Sequence, residues 1–208
     1  MTAPRYSGEK HLFGGGRLSG GKIRGKTQIG ANMSVVPGPK PFPSDAFADL
    51  LAANSDYVSH FLGSALTGKA DKGLAIVTCM DSRISPLDVV GMKAGDAKIL
   101  RNAGARVTED VLRTLVLATY LLGVDRILVM PHTDCRMAQN EESDIHATIA
   151  EQYGVDTRSL EFRTVSDQKL ALVTDVTRIR SYPLLRDGVT VGGAIYNVTT
   201  GALEPLDC

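Results

Sequence analysis

The stretch GLAIVTCMDSR, residues 73–83, runs from an apolar segment straight into a thiol, a carboxylate and a guanidinium. Its first part reads as a buried strand, short, apolar and rich in β-branched residues. Cys79, Asp81 and Arg83 alternate along it, and alternate residues of an extended chain share one face. The spacing therefore predicts that a soft metal ligand, a hard anion and a cationic partner point the same way from the end of a strand.

Outward from this segment, strands and helices take turns. SPLDVVGM (85–92) reads as a short helix and AKILRNA (97–103) as a strand. TEDVLRTLVLATYLLG (108–123) reads as a helix, with Thr108 as cap, acids in its first turn and Gly123 at its end. DRILVMPHT (125–133) is a third strand, and helical stretches at 143–154 and 166–179 precede a last strand pair within 190–203. Before the opening strand, a helix-start signal at Ser44 is followed by Phe47, Leu50 and Leu51 at helical spacing. Strands that alternate with helices imply right-handed crossovers and an α/β fold, a mainly parallel sheet flanked by helices. Ligands of such sheets bind beyond the carboxyl ends of the strands.

The 208 residues suit one domain with a sizeable core, preceded by an arm. Residues 1–43 are expected to be a flexible N-terminal arm, first Gly-rich and basic, then Pro-rich in VVPGPKPFP; residues 44–208 form the domain. The first 32 residues carry Arg5, Lys10, Arg17, Lys22, Arg24 and Lys26 against a single acid, Glu9. Within them GGKIRGKT (20–27) matches the phosphate-loop pattern letter for letter. That loop needs a buried strand before it and a helix after it, and neither flank supplies one. Net charge is zero, so neither nucleic acid nor an anionic membrane is expected as a partner. No apolar run reaches the roughly 18 residues of a membrane helix. Three sparse cysteines do not form a disulfide framework and imply a reduced, cytoplasmic protein that uses thiols for metal or catalysis.

Two strand ends then fall together. Cys79 closes the first domain strand and HTDC (132–135) the third. If the strands are neighbours, Cys79 meets His132 and Cys135. Two sulfurs and one nitrogen suit Zn²⁺, and three protein ligands leave a fourth position for water or substrate. A structural site would more usually close with a fourth Cys or His, and His146 lies about two or three helical turns further on. H-x-x-C alone is a weak signal, since buried cysteines and satisfied histidines are common at strand ends. Asp81 and Arg83 alone could be a plain surface ion pair. RNAG (101–104) ends the intervening strand in the same region, where Gly104 permits close backbone approach or simply turns the chain.

C-x-D-x-R, then R-N-A-G, then H-x-x-C, in this order, resembles the β-class carbonic anhydrase family from about Ser44 to the C-terminus. The resemblance implies zinc on Cys79, His132 and Cys135, with Asp81 and Arg83 as the acid–base pair. It also implies a homodimer, often assembled further. The expected activity is reversible hydration of CO₂ to bicarbonate and a proton by attack of zinc-bound hydroxide. Asp81 can take the fourth zinc position itself, or Arg83 can hold it away. Zinc with two thiolates and one neutral imidazole carries no net charge, so it is a weaker Lewis acid than an all-histidine site. Hydrolysis of carbonyl sulfide or carbon disulfide on the same scaffold is the alternative chemistry, and a non-catalytic zinc protein the alternative of another class; a structural zinc would need neither Asp81 nor Arg83. One residue departs from the family pattern: Arg136 follows Cys135 where Gly is usual. It either points to solvent from ordinary backbone or occupies a strained left-handed position beside the metal, where it could pair with Asp134.

Overall fold

A computed structural model describes residues 39–208. The glycine-rich basic segment with its phosphate-loop match at 20–27 lies outside the described residues. The described residues fall into two compact units, one ending at Ala52 and the other running from Ala53 to Cys208. In the first, Ser44–Phe47 form a 3-10 turn, and the Phe42 and Phe47 rings lie 5.4 Å apart. Helix α1 (Ala48–Ser59) follows directly, runs on past the boundary at Ala52, and buries none of its side chains.

The second unit holds the sheet. In chain order its elements are β1 (Leu74–Cys79), α2 (Pro86–Val89), β2 (Ala97–Asn102), α3 (Glu109–Leu121), β3 (Arg126–Met130), α4 (Glu142–Tyr153), α5 (Gln168–Arg180), β4 (Thr190–Tyr196) and β5 (Leu203–Leu206). The strands lie in the order β2-β1-β3-β4-β5. β1 runs parallel to β2 and β3, β4 runs parallel to β3, and only β5 is antiparallel. The sequence thus predicts the α/β class and the mainly parallel sheet correctly; of the strand pair expected within 190–203, β4 lies there, whereas β5 begins only at Leu203 and runs on to Leu206.

Strand periodicity sets the two cores. Ala75 and Val77 of β1 join Leu112 and Leu115 of α3 and Val176 and Ile179 of α5 in one buried cluster. Their neighbours Leu74 and Ile76 belong to a second cluster with Ile84, Met130 and Met137, covered in part by Val89, Val90 and Ile145. All six residues of β1 are buried, as a central strand covered on both faces requires. Thr108 caps α3 by accepting from the Val111 amide, with Glu109 and Asp110 in the first turn, and Asp167 caps α5 from the Lys169 and Leu170 amides.

The strand order positions the site. From β1 the chain steps to β2 on one side, then crosses back to β3 on the other. Connections that diverge in this way open a crevice at the carboxyl ends of the two strands between them, here β1 and β3. Register brings Thr78 opposite Met130, so both strands finish at the same level. Cys79 ends one, and the segment carrying His132 and Cys135 leaves the other.

One expectation fails here. The strand stops at Cys79, and residues 82–83 form a turn, so Asp81 and Arg83 do not share a pleated face. The carboxylate of Asp81 accepts from the Arg83 amide at 2.9 Å and folds the segment into a side-chain-stabilised turn. The two side chains do meet, through the turn and not through strand alternation.

Candidate metal centre

Cys79, His132 and Cys135 converge, with their candidate ligand atoms all within 4.8 Å of one another. All three residues are buried; His132 is 0% exposed. Nδ1 of His132 lies 2.8 Å from the Thr133 carbonyl, a contact in which the ring nitrogen donates. Nε2 is then the nitrogen with a lone pair, and it is buried with no hydrogen-bond partner. An unpaired buried nitrogen is costly, and one that faces two thiols fits a metal cation. Gln168 donates to the His132 carbonyl at 2.7 Å and fixes the backbone that carries the ring.

The protein is prepared for thiolates. The neighbouring Cys135 thiol above all, with the nearby His132 ring and the Gly104 and Asp81 amides, outweighs burial and holds the Cys79 pKa well below the ordinary thiol value. Cys135 moves the other way: its contact with the charged Cys79 sulfur and its burial raise its pKa, opposed by amides of Met137 and Ala138. Without a cation, the pair therefore holds one thiolate and one thiol. Burial works against protonation of His132, but the neighbouring Cys79 sulfur and the Thr133 carbonyl outweigh it and raise its pKa.

Asp81 stands beside this cluster, its Oδ2 3.8 Å from His132 Nε2. Arg83 grips it with two bonds, Nε to Oδ1 at 3.0 Å and Nη2 to Oδ2 at 2.8 Å. These bonds, first among the causes, hold the Asp81 carboxyl well below the usual carboxylate range. The guanidinium reaches a second acid as well: Nη1 donates to Asp134 Oδ2 at 2.7 Å.

Sequence reading missed the residues that hold this arrangement in place. Arg101 donates to three backbone carbonyls of the turn that follows β1: Cys79 at 2.8 Å, Asp81 at 2.5 Å and Ile84 at 3.3 Å. Asn102 closes the next loop, donating to the Arg106 carbonyl and accepting from its amide. Gly104 turns there with φ 77°, and its amide is among the groups that lower the Cys79 pKa. RNAG is therefore a clamp on the neighbouring strand end. The motif stands in the sequence, but bonds to carbonyl groups leave no residue-type signal at the other end.

Arg136 takes the plainer of its two alternatives. It begins a 3-10 turn (Arg136–Ala138) and its side chain is exposed. The left-handed residue of the segment is Asp134, with φ 56°, and its ion pair is with Arg83.

Among the described residues, no helix is long and apolar enough to cross a membrane. The carbonic anhydrase family profile matches residues 74–203. The β-carbonic anhydrase 1 of Mycobacterium tuberculosis is 36% identical over 159 residues, 76% of this chain and 96% of that protein. The carbon disulfide hydrolase of Acidithiobacillus thiooxidans is 27% identical over 155 residues, 65% of this chain and 77% of that protein. Among solved structures, the carbonic anhydrase of Streptococcus mutans superposes with a TM-score of 0.73 at 33% identity, covering 81% of this chain and all 100% of the other.

Proposed function

The chain belongs to the β-class carbonic anhydrase family, and from that premise we propose that it interconverts CO₂ and bicarbonate at a zinc ion held by Cys79, His132 and Cys135. The buried His132 Nε2, unpartnered and grouped with two thiols, is the observation that carries the reading. When bound there, zinc supplies the Lewis acidity that makes water a nucleophile near neutral pH.

The chain's own residues do the rest. Cys79, already favoured as a thiolate by its polar surroundings, needs little change to take a cation. Arg83 holds Asp81 in a two-bond pair, and this keeps the carboxylate from becoming a fourth ligand. Held there, the Asp81 carboxylate is placed to accept a hydrogen bond from the attacking water, which would orient the remaining lone pair of that water toward CO₂. Its low pKa keeps it an acceptor across the whole working range. The segment 44–208 is the catalytic domain in this proposal.

The same proposal includes assembly as a homodimer or larger homo-oligomer in the cytoplasm. Leu50, Leu51, Tyr57 and Val58 of α1 are all at least half exposed, at 59%, 50%, 59% and 64%, and a partner copy would cover them. The three unpaired cysteines favour a reducing compartment.

Hydrolysis of carbon disulfide is the second reading, since three relatives bear that name at 27–28% identity. The higher identity to a carbonic anhydrase, at 36%, favours CO₂. Metal content and stopped-flow hydration of CO₂, run beside carbon disulfide and carbonyl sulfide hydrolysis, separate the two. We expect one zinc per chain and fast CO₂ hydration. Turnover of the sulfur substrates without CO₂ hydration would transfer the assignment to the second reading.

A further inference from the structure

Arg83 is shared. Besides its two bonds to Asp81, its Nη1 donates to Asp134 Oδ2 at 2.7 Å and its Nη2 to the Asp134 carbonyl at 3.2 Å. Asp134 is anchored in turn by Gln139, whose side-chain amide donates to Oδ1 at 2.7 Å. The Asp134 backbone lies in the left-handed region at φ 56°, and there its carboxylate and its carbonyl oxygen both accept from Arg83. Arg83 is 44% exposed, and a side chain that long and that exposed does not hold one orientation unaided. Asp81 cannot supply the missing restraint by itself, because it is the group whose position must be controlled.

We propose that Asp134, braced by Gln139, is a positioning residue that holds Arg83 in place so that Arg83 can keep Asp81 away from the metal ligands. The inference rests on the proposed zinc site and adds a member to it. Two consequences follow from the geometry. The guanidinium keeps a second anionic partner when Asp81 moves, so it stays at its post and can recapture the carboxylate. Loss of the Asp134 charge leaves Arg83 free to swing into solvent and take Asp81 with it, or to release Asp81 toward the metal.

The test is a double-variant cycle on the full chain with Asp134→Asn, Arg83→Ala and the two combined. Asn suits the choice because it adopts left-handed backbone as readily as Asp, so any effect reflects the lost charge. Two readouts are followed: CO₂ hydration kcat/KM of the zinc protein, and the visible absorption of the cobalt(II)-substituted protein, which reports ligation by Asp81. Asp134→Asn should lower kcat/KM about threefold to tenfold, between the effects of an exposed ion pair and of a charge-assisted hydrogen bond. It should also move the cobalt spectrum toward that of Arg83→Ala. The combined variant should match Arg83→Ala alone in both readouts, because Asp134 acts only through Arg83. Gln139→Ala should show a weaker change of the same kind, and Asp156→Asn, which removes a separate ion pair with Arg158, serves as control. Wild-type spectrum and kinetics in Asp134→Asn would overturn the proposal, as would a combined variant whose losses simply add. Should the wild type fail to hydrate CO₂, the functional reading falls, and the cobalt spectra still decide whether Asp134 governs the site.

Discussion

Gly104 is the position where one methyl group should disturb both stability and metal binding. Its φ is 77°, and a Cβ built there would lie 3.2 Å from Met137 Cβ and 3.3 Å from Met137 Cγ. Left-handed backbone costs an L-residue about 1–2 kcal/mol. Ordinary carbon contacts sit near 3.5–4.0 Å, so the methyl intrudes by several tenths of an ångström. Met137 can swing its Cγ aside, but its Cβ is fixed to a backbone tied down by the Val165 amide, which donates to the Met137 carbonyl at 2.8 Å. Overpacking here adds about 1–2 kcal/mol, the lower part of the range for inserted methyl groups. Gly104→Ala should therefore cost about 2–4 kcal/mol in denaturant unfolding of the metal-free protein, read as a lower midpoint at unchanged slope. Because the Gly104 amide also serves the Cys79 sulfur, zinc affinity measured by chelator competition should fall about tenfold or more. Ala105 is the internal contrast, since it too has positive φ, at 57°, and is 1% exposed. Replacing it by Gly relieves the backbone but loses about 0.8 kcal/mol of methyl burial, and the two effects nearly cancel. A Gly104→Ala protein within about 0.5 kcal/mol of wild type, with unchanged zinc affinity, would refute the account of this loop.

Three further outcomes are expected. Cys79→Ser and Cys135→Ser should each lose bound zinc and CO₂ hydration together, measured by metal analysis and stopped flow, whereas Cys208→Ser should keep both. Asp81→Asn keeps the shape of the side chain but removes the acceptor charge, and it should reduce hydration at least about tenfold at every pH tested; equal rates would remove Asp81 from the reaction. In the metal-free Cys208→Ser protein, Cys79 is depressed and Cys135 raised, so one thiolate is present between the two values, across neutral pH. Ultraviolet thiolate absorbance should show about one equivalent already formed in mild acid and the second only well above the ordinary thiol range, instead of two thiols titrating together near pH 8–9.

How far the sequence discloses this molecule depends on which interactions leave a mark on residue type. Burial on both faces of β1 makes its residues apolar, and the 3.6-residue period of α3 places Val111, Leu112, Leu115 and Ala118 inward, so these elements can be read directly. Metal ligation also restricts residue type, and the carboxyl-end rule says where to look. Cys79, His132 and Cys135 are legible for that reason, although they are 56 positions apart from first to last.

The supporting contacts are illegible for a matching reason. Arg101 holds three carbonyl oxygens, and Gln168 a fourth; every residue offers a carbonyl, so nothing in residues 79, 81, 84 or 132 announces the bond. The meeting of Asp81 with Arg83 was read from strand alternation and arises instead from a turn, because a carboxylate two residues before an amide can fold the chain on itself. Alternation and turn predict the same neighbours over so short a span, and only the second explains what else is near. A pleated strand would aim Arg83 along the sheet face. The turn brings it instead to the loop after β3, where Asp134 stands with a backbone that few non-glycine residues adopt. Arg136 drew attention in the sequence because it departs from the family pattern, yet an exposed residue at the start of a 3-10 turn is under little constraint. Two positions earlier, an unremarkable Asp carries both the strained backbone and the ion pair. A departure in sequence marks freedom as often as purpose, and the constraint shows only when the partner of each charge is known.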